Sequence, residues 1–245
     1  MSTYLHVDMS TRGKVHMRTI AIVNQKGGSG KSTIAECLAV AATEEGKGAA
    51  ILDLDPQGTA YAWSKRREGE NPPVLSVTAA NYRDQWHVLK DAGADLVIID
   101  TPARLQDTVM NAAEIADLVI VPAKATIKDI ERVEDSIKLA CMTSVKPFFV
   151  VFNQVRPQTS RSEAAEEAIK AQRFPVCPIR IGFRVAFEDS DMTGQTPLET
   201  EPNGKAAEEI RALYAYVNTV LKQNGVDNST CKNVDMSTSQ QVANG

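Results

Sequence analysis

The sequence predicts an α/β protein, with a doubly wound, mostly parallel sheet flanked by helices in a single domain. Two observations lead to this fold class. Short apolar runs alternate with amphipathic segments along most of the chain, which is typical of βαβ units with right-handed crossovers. Several of the runs are apolar throughout, as expected for parallel strands that are covered on both faces.

The individual elements follow from the length and periodicity of these segments. Strands are predicted at 19–23, 49–54, 74–77, 95–99, 118–121 and 148–152, with a weaker one at 178–181. Helices are predicted at 32–45, 82–92, 127–142, 162–172 and 205–222, and the third has an apolar stripe of Ile127, Ile130, Val133 and Ile137. Because ligands of such sheets bind beyond the carboxyl ends of the strands, the residues that follow each strand are the first candidates for a functional site.

Composition bounds the class of protein. The domain is expected at 18–223, with a flexible extension at 1–17 and a disordered polar tail at 224–245. A net charge of −4 excludes a strongly basic nucleic-acid binder, although it allows a local basic patch. Without a signal peptide or an apolar run of about 20 residues, the protein is expected to be soluble and cytoplasmic. The cysteines, which lack C-x-x-C spacing and so argue against a metal cluster, are Cys37, Cys141, Cys177 and Cys231.

A glycine-rich segment, "NQKGGSGKST", lies between the first predicted strand and the first predicted helix. Its end matches the phosphate-binding pattern G-x-x-x-x-G-K-[ST], although Gln25 occupies the position of the first glycine. The glycines let backbone N–H groups surround phosphate oxygens, Lys31 is expected to bridge the outer phosphates, and the Ser32 hydroxyl is expected to bind Mg²⁺. The candidate nucleotide-binding residues are therefore Gly27, Gly28, Ser29, Gly30, Lys31, Ser32 and Thr33.

A second lysine, Lys26, lies five residues before Lys31. It is either a solvated loop lysine or a cation that reaches the nucleotide of another subunit, as in-trans cations do in phosphoryl transfer. The second interpretation is favoured because Lys31 and the backbone already serve the local phosphates.

Two later strands end in acidic residues. "ILDLDPQG" contains Asp53 and Asp55, whose carboxylates are predicted to point toward the strand-end crevice, and "LVIIDTP" contains Asp100. Lone acids at such places often begin turns, but two of them after a phosphate loop favour a metal site. We expect Asp100 to hold Mg²⁺ through water, and Asp55 to lie at the metal and position the attacking water.

Together, "KGGSGKST", "DLDPQG" and "VIIDTPA" resemble the ParA/MinD family of deviant Walker A ATPases, and "DLDPQG" is closest to short ParA-type plasmid partition ATPases. The resemblance implies a weak, Mg²⁺-dependent ATPase that forms an ATP-bound homodimer. It further implies that Lys26 contacts the partner's nucleotide, that Asp55 activates water, and that Asn153, in "VVFNQVRP", contacts adenine.

The resemblance also implies plasmid or chromosome partition, in which the ATP dimer binds DNA non-specifically and a ParB-type protein stimulates hydrolysis. The alternatives are a positioning ATPase for a non-DNA cargo, a MinD-like regulator, and a metabolic ATPase such as a reductase partner or an amidoligase. The acidic polar face of the last helix argues against membrane binding.

Three positions keep alternatives open. Arg184, with Arg180, is the best candidate for DNA contact, although a solvated surface interleaved with glutamates is an equal interpretation. Gln106 stands where many relatives have a glycine that contacts the γ-phosphate. Asp135 is either a surface acid, which is favoured, or a residue that restrains Lys26.

Overall fold

A computed structural model describes residues 16–103, 105–143, 146–156 and 160–223. Most of the expected extension, all of the expected tail and Cys231 therefore lie outside the described residues. Met17, the last residue assigned to the extension, is 5% exposed and packs into the core.

The predicted fold class is confirmed. The strands are β1 Arg18–Ile22, β2 Ala49–Asp53, β3 Val74–Ser76, β4 Leu96–Asp100, β5 Leu118–Ala123 and β6 Phe148–Phe152. They form one six-stranded sheet in the order β3-β2-β4-β1-β5-β6, and every pairing is parallel. Register pairs Asp100 with Ile22 on one side and with Asp53 on the other, so three strands end at the same level.

Helices cover both faces of this sheet. They are α1 Lys31–Glu44, α2 Thr59–Arg66, α3 Tyr82–Asp91, α4 Gln106–Ile115, α5 Ile127–Thr143, α6 Ser160–Ala171, α7 Val185–Asp191, α8 Pro197–Thr200 and α9 Lys205–Gln223. Buried side chains of α1, α2, α8 and α9 pack on one face, and those of α3, α4, α5 and α6 pack on the other. Alternation within the strands supplies both cores: Ile20 and Ile22 face the first, and Ala21 and Val23 face the second.

The weaker strand expected at 178–181 is wrong. The segment after α6 makes only isolated bridges, Val150 with Val176 and Val155 with Gly182, along the free edge of β6. Prolines at 175 and 178 lack the N–H groups that a continuous ladder needs. The segment nevertheless covers the sheet edge and carries the chain to α7.

Short helices were missed by the periodicity. The helices α2, α7 and α8 contain 8, 7 and 4 residues, too few for an apolar stripe to repeat, whereas α4 has 10 residues, as many as the predicted α3, so its length does not explain the miss. In α5, Val133 and Ile137 are buried as expected, whereas the side chains of Ile127 and Ile130 lie outside the described part of the chain.

The last helix, α9, packs on the sheet as the sequence favours. Its buried residues include Ile210, Leu213, Val217 and Leu221. Among the described helices, none has the length and apolar character needed to cross a bilayer.

Candidate nucleotide-binding site

The phosphate loop connects β1 to α1 at the carboxyl edge of the sheet. Gly28 and Gly30 have φ angles of 72° and 90°, a left-handed conformation that glycine adopts without strain. Gly30 directly precedes α1, and its carbonyl accepts a hydrogen bond from Ile34 N at 3.0 Å. The helix therefore directs its positive N-terminal end at the loop, as phosphate binding requires.

The first half of the loop is fixed by side chains that the sequence did not point to. Buried Asn24 donates from Nδ2 to Pro122 O at 2.6 Å and accepts from Lys26 N at 2.7 Å, which ties the loop to the end of β5. Gln25 N donates to Ser136 Oγ on α5 at 3.0 Å. These contacts satisfy backbone donors at the start of the loop and leave the glycine segment to hold the phosphates.

The side chain of Lys26 turns toward α5. Its Nζ lies 2.8 Å from Asp129 Oδ2, and the Asp129 side chain is completely buried while that of Lys26 is 36% exposed. Thr126 Oγ1 donates to the same carboxylate oxygen, and Asp129 Oδ1 has no partner among the described residues. Asp135 is half exposed and pairs with Arg132, which agrees with the favoured interpretation of a surface acid, and the acid that meets Lys26 in this structure is Asp129.

Lys31 and Asp100 form the polar centre of the site. Burial lowers the pKa of Lys31, and the nearby Asp100 and Asp55 carboxylates oppose this change. Burial raises the pKa of Asp100 from 3.8 to about 7, while the Ser32 hydroxyl and Lys31 act in the opposite direction. No hydrogen bond of ordinary geometry reaches either buried Asp100 oxygen from the described residues, so this carboxylate is short of a partner.

These residues fit a magnesium ion. Mg²⁺ prefers oxygen ligands and is commonly bound by one or two carboxylates, water and substrate phosphates. Asp100 and the Ser32 hydroxyl provide such oxygens beside the phosphate loop. The described residues contain no group of three His, Cys, Asp or Glu side chains suited to hold a metal without such help.

The two acids of "DLDPQG" have different surroundings. Asp53 is fully buried, and its carboxylate accepts hydrogen bonds from the backbone N–H groups of Asp55 at 3.0 Å and Tyr61 at 2.9 Å. Asp53 therefore shapes the loop and the start of α2 rather than facing the crevice freely as expected. Asp55 is partly exposed and lines a cavity of about 760 Å³ beside the phosphate loop.

Asn153, the residue implied to contact adenine, is held inside the protein. It is 4% exposed, donates from Nδ2 to Ser29 O at 2.9 Å, and accepts from Gln154 N at 2.9 Å. In this arrangement the amide braces the phosphate loop against β6. Its implied contact with adenine stays a prediction.

The two candidate DNA contacts lie beyond β6. The Arg184 guanidinium donates to both carboxylate oxygens of Glu209 on α9, at 2.5 and 3.1 Å, and Glu209 also accepts from Gly182 N at 3.0 Å. Arg184 is thus engaged in a bidentate ion pair, and Arg180 is exposed. DNA contact by either residue stays a prediction.

A glycine-rich loop between a strand and a helix, with carboxylates at the next two strand ends, defines a phosphate-loop nucleotide-binding protein. The chain belongs to the CobQ/CobB/MinD/ParA nucleotide binding domain family, whose model matches residues 20–198. The ParA/MinD resemblance of the sequence is thereby confirmed. ATP and Mg²⁺, the expected cofactors, agree with structures of the same fold that contain ATP or Mg-ADP.

Individual relatives show how far the similarity extends. The chain is 25% identical over 206 residues to the maintenance of carboxysome distribution protein A of Halothiobacillus neapolitanus, covering 80% of this chain and 94% of that protein. It is 32% identical over 149 residues to the chromosome-partitioning ATPase Soj of Thermus thermophilus, covering 49% of this chain and 60% of Soj. The cell division ATPase MinD of Pyrococcus furiosus superposes with a TM-score of 0.67 at 18% identity, covering 84% of this chain and 100% of that chain.

Proposed function

We propose that the protein is an ATP-dependent dimerisation switch that binds DNA non-specifically and drives plasmid or chromosome partition. The position of Lys26 carries this proposal. Its side chain is 36% exposed, and its ammonium group lies on Asp129 rather than over the phosphate loop of its own chain, where Lys31 is already buried. A lysine placed in this way is available to a nucleotide that a second copy holds.

The roles of the remaining residues follow from their surroundings. Lys31 neutralises phosphate charge, and Ser32 with Asp100 holds Mg²⁺, which supplies charge stabilisation for the transferred phosphoryl group. Asp55 is the partly exposed carboxylate of the cavity, so it is the residue that orients the attacking water and assists at the metal. Catalysis then rests on positioning and charge neutralisation, and a low intrinsic rate suits a switch.

Release from DNA requires a partner in this scheme. A ParB-type centromere-binding protein would stimulate hydrolysis, and the protein would alternate between the nucleoid and the cytoplasm. Arg184 and Arg180 are the proposed phosphate contacts, and Arg184 must leave Glu209 to serve in this way.

A second candidate is the positioning of a protein assembly by the same switch. It is supported by the similarity to carboxysome distribution proteins, because that match spans 94% of the relative while the match to Soj spans 60%. The two candidates differ in cargo and share the chemistry of the site.

Co-sedimentation with DNA in the presence of ATP, ADP or no nucleotide tests the shared part. DNA binding should require ATP, Lys31→Ala should lose nucleotide binding, and Lys26→Ala should bind nucleotide as a monomer yet fail to dimerise. Lys90→Ala, an exposed lysine on α3, is the control for loss of one positive charge. DNA binding that is absent or indifferent to nucleotide refutes the switch.

Deletion of the gene separates the two cargoes. Loss of the replicon that carries the gene from dividing cells supports partition. Retention of the replicon together with clustering of a protein assembly supports the second candidate.

A further inference from the structure

Gln154 follows Asn153 at the carboxyl end of β6 and has an unusual backbone. Its φ angle is 54°, in the left-handed region that residues other than glycine seldom adopt. The conformation is held by the hydrogen bond from Gln154 N to Asn153 Oδ1. Strained residues of this kind concentrate at ligand sites, where the surrounding structure forces a side chain into place.

The side chain of Gln154 lies between two cavities. The larger is the phosphate-loop cavity of about 760 Å³, and the smaller, of about 180 Å³, has mixed walls, in which Ile34, Ile181 and Phe187 lie beside charged and polar side chains. Among the residues that the structure describes, only Thr33 and Gln154 line both of these cavities. A Cβ atom placed on Gly30 would lie 3.9 Å from Gln154 Nε2, so the carboxamide lies close to the phosphate loop.

The order of groups in a nucleotide matches this order of cavities. The phosphates belong in the glycine-rich loop, and the smaller cavity, with apolar side chains to pack on a ring and polar groups to meet its edge, suits a flat base. The ribose that connects them must pass the junction at which Gln154 lies. A carboxamide offers two N–H donors and an acceptor oxygen, which complement the paired 2′ and 3′ hydroxyl groups of a ribose.

The neighbouring amide is already occupied. Asn153 uses both ends of its side chain on Ser29 O and Gln154 N, whereas the Gln154 carboxamide makes no hydrogen bond with the described residues. We propose that Gln154 binds the ribose hydroxyls of the nucleotide and makes the site selective for ribonucleotides. This rests only on nucleotide binding and is independent of dimerisation, DNA and cargo.

The test compares Mg-ADP with Mg-2′,3′-dideoxy-ADP, two diphosphates that leave ATP-driven dimerisation out of the measurement. Dissociation constants are measured by titration calorimetry for the wild type and for Gln154→Gly, which keeps the positive φ and removes the side chain. The wild type should prefer the ribonucleotide about five- to tenfold, the value of one or two net hydrogen bonds. Gln154→Gly should weaken Mg-ADP by that factor and leave the dideoxy nucleotide unchanged.

Two further variants keep the result specific. Gln154→Asn also tolerates the left-handed backbone but is one methylene shorter, so it should lose the same preference. Gln57→Ala removes a glutamine that lines only the phosphate-loop cavity, and it should keep the wild-type ratio. The proposal is overturned if the wild type does not discriminate, if Gln154→Gly still does, or if both nucleotides weaken equally. Loss of ATP-dependent dimers alone would refute the switch and leave this assignment intact.

Discussion

Replacing Asp100 with asparagine changes the charge at the proposed metal site and keeps the shape of the side chain. The wild-type carboxyl is completely buried, and its pKa rises from 3.8 to about 7 because of burial. The folded state therefore binds this proton more tightly than the unfolded state does. The stability that this protonated carboxyl contributes to the wild type is fully present below pH 3.8, and it is lost as the pH rises toward 7.

The size of the effect follows from the same shift. A rise from 3.8 to about 7 corresponds to at most about 4 kcal/mol between the ends of this pH range. Asparagine has no proton to lose, so the free energy of unfolding of Asp100→Asn should increase, relative to that of the wild type, by up to that amount as the pH rises. The absolute difference at one pH is less informative, because Lys31 loses an opposite charge in the variant.

The assay is urea unfolding of the nucleotide-free protein in EDTA at several pH values from 4.5 to 8.5. Asp107→Asn, on the exposed first turn of α4, is the control for removal of one negative charge. A stability difference between Asp100→Asn and the wild type that does not change with pH would refute the reasoning. With Mg-ATP the order should reverse, because only the wild type keeps its metal ligand and gains stability from the bound ion.

Three further variants test separate contacts. Gly30→Ala places a Cβ 2.0 Å from the side-chain amide of Asn153, at a φ of 90°, so the variant should lose about 1–3 kcal/mol or more of stability. Thermal unfolding measures this loss against the control Gly27→Ala, whose Cβ meets nothing within 4 Å. Asp129→Asn weakens the ion pair that holds Lys26 on α5. Loss of about 1 kcal/mol of pairing energy predicts roughly fivefold more dimer at subsaturating ATP, measured by light scattering. An unchanged ATP dependence of dimerisation would contradict this. Glu209→Gln should release its arginine partner and raise DNA affinity severalfold, whereas Glu208→Gln, a 72% exposed neighbour with the same charge change, should not.

Sequence patterns anticipated the parts of the structure that rest on local rules. The central strands were predictable because each is an apolar run whose side chains are buried on both faces of the sheet. The glycine-rich loop was predictable because it lies between a strand and a helix, as a phosphate loop does. Asp100 was singled out because a carboxylate that ends an apolar strand needs a partner, and its buried oxygens lack one among the described residues.

Contacts between distant segments could not be predicted in the same way. Lys26 and Asp129 are separated by 103 positions, and α5 also presents Asp135, so the sequence alone did not tell which acid faces the loop. Asn24 reads as an ordinary residue before a glycine-rich turn, and its bond to Pro122 O appears only when β1 and β5 are neighbours. Arg184 was a candidate for DNA contact, and its ion pair with Glu209 could not be foreseen because it depends on how α9 packs.

The phosphate loop is held from two sides, by α5 and by β6, and these two anchors are relevant to how a dimerisation switch would work. Its first half is tied to α5 by Gln25 and Lys26, and its second half is tied to β6 by the bond from Asn153 to Ser29 O. Gly27 and Gly28 lie between these anchors and Gly30 lies just beyond the second, so movement of Lys26 away from α5 need not disturb the phosphate cradle. Binding and dimerisation are then separable by substitution at residue 26. That is the property required of a protein whose nucleotide first binds to one subunit and afterwards joins two.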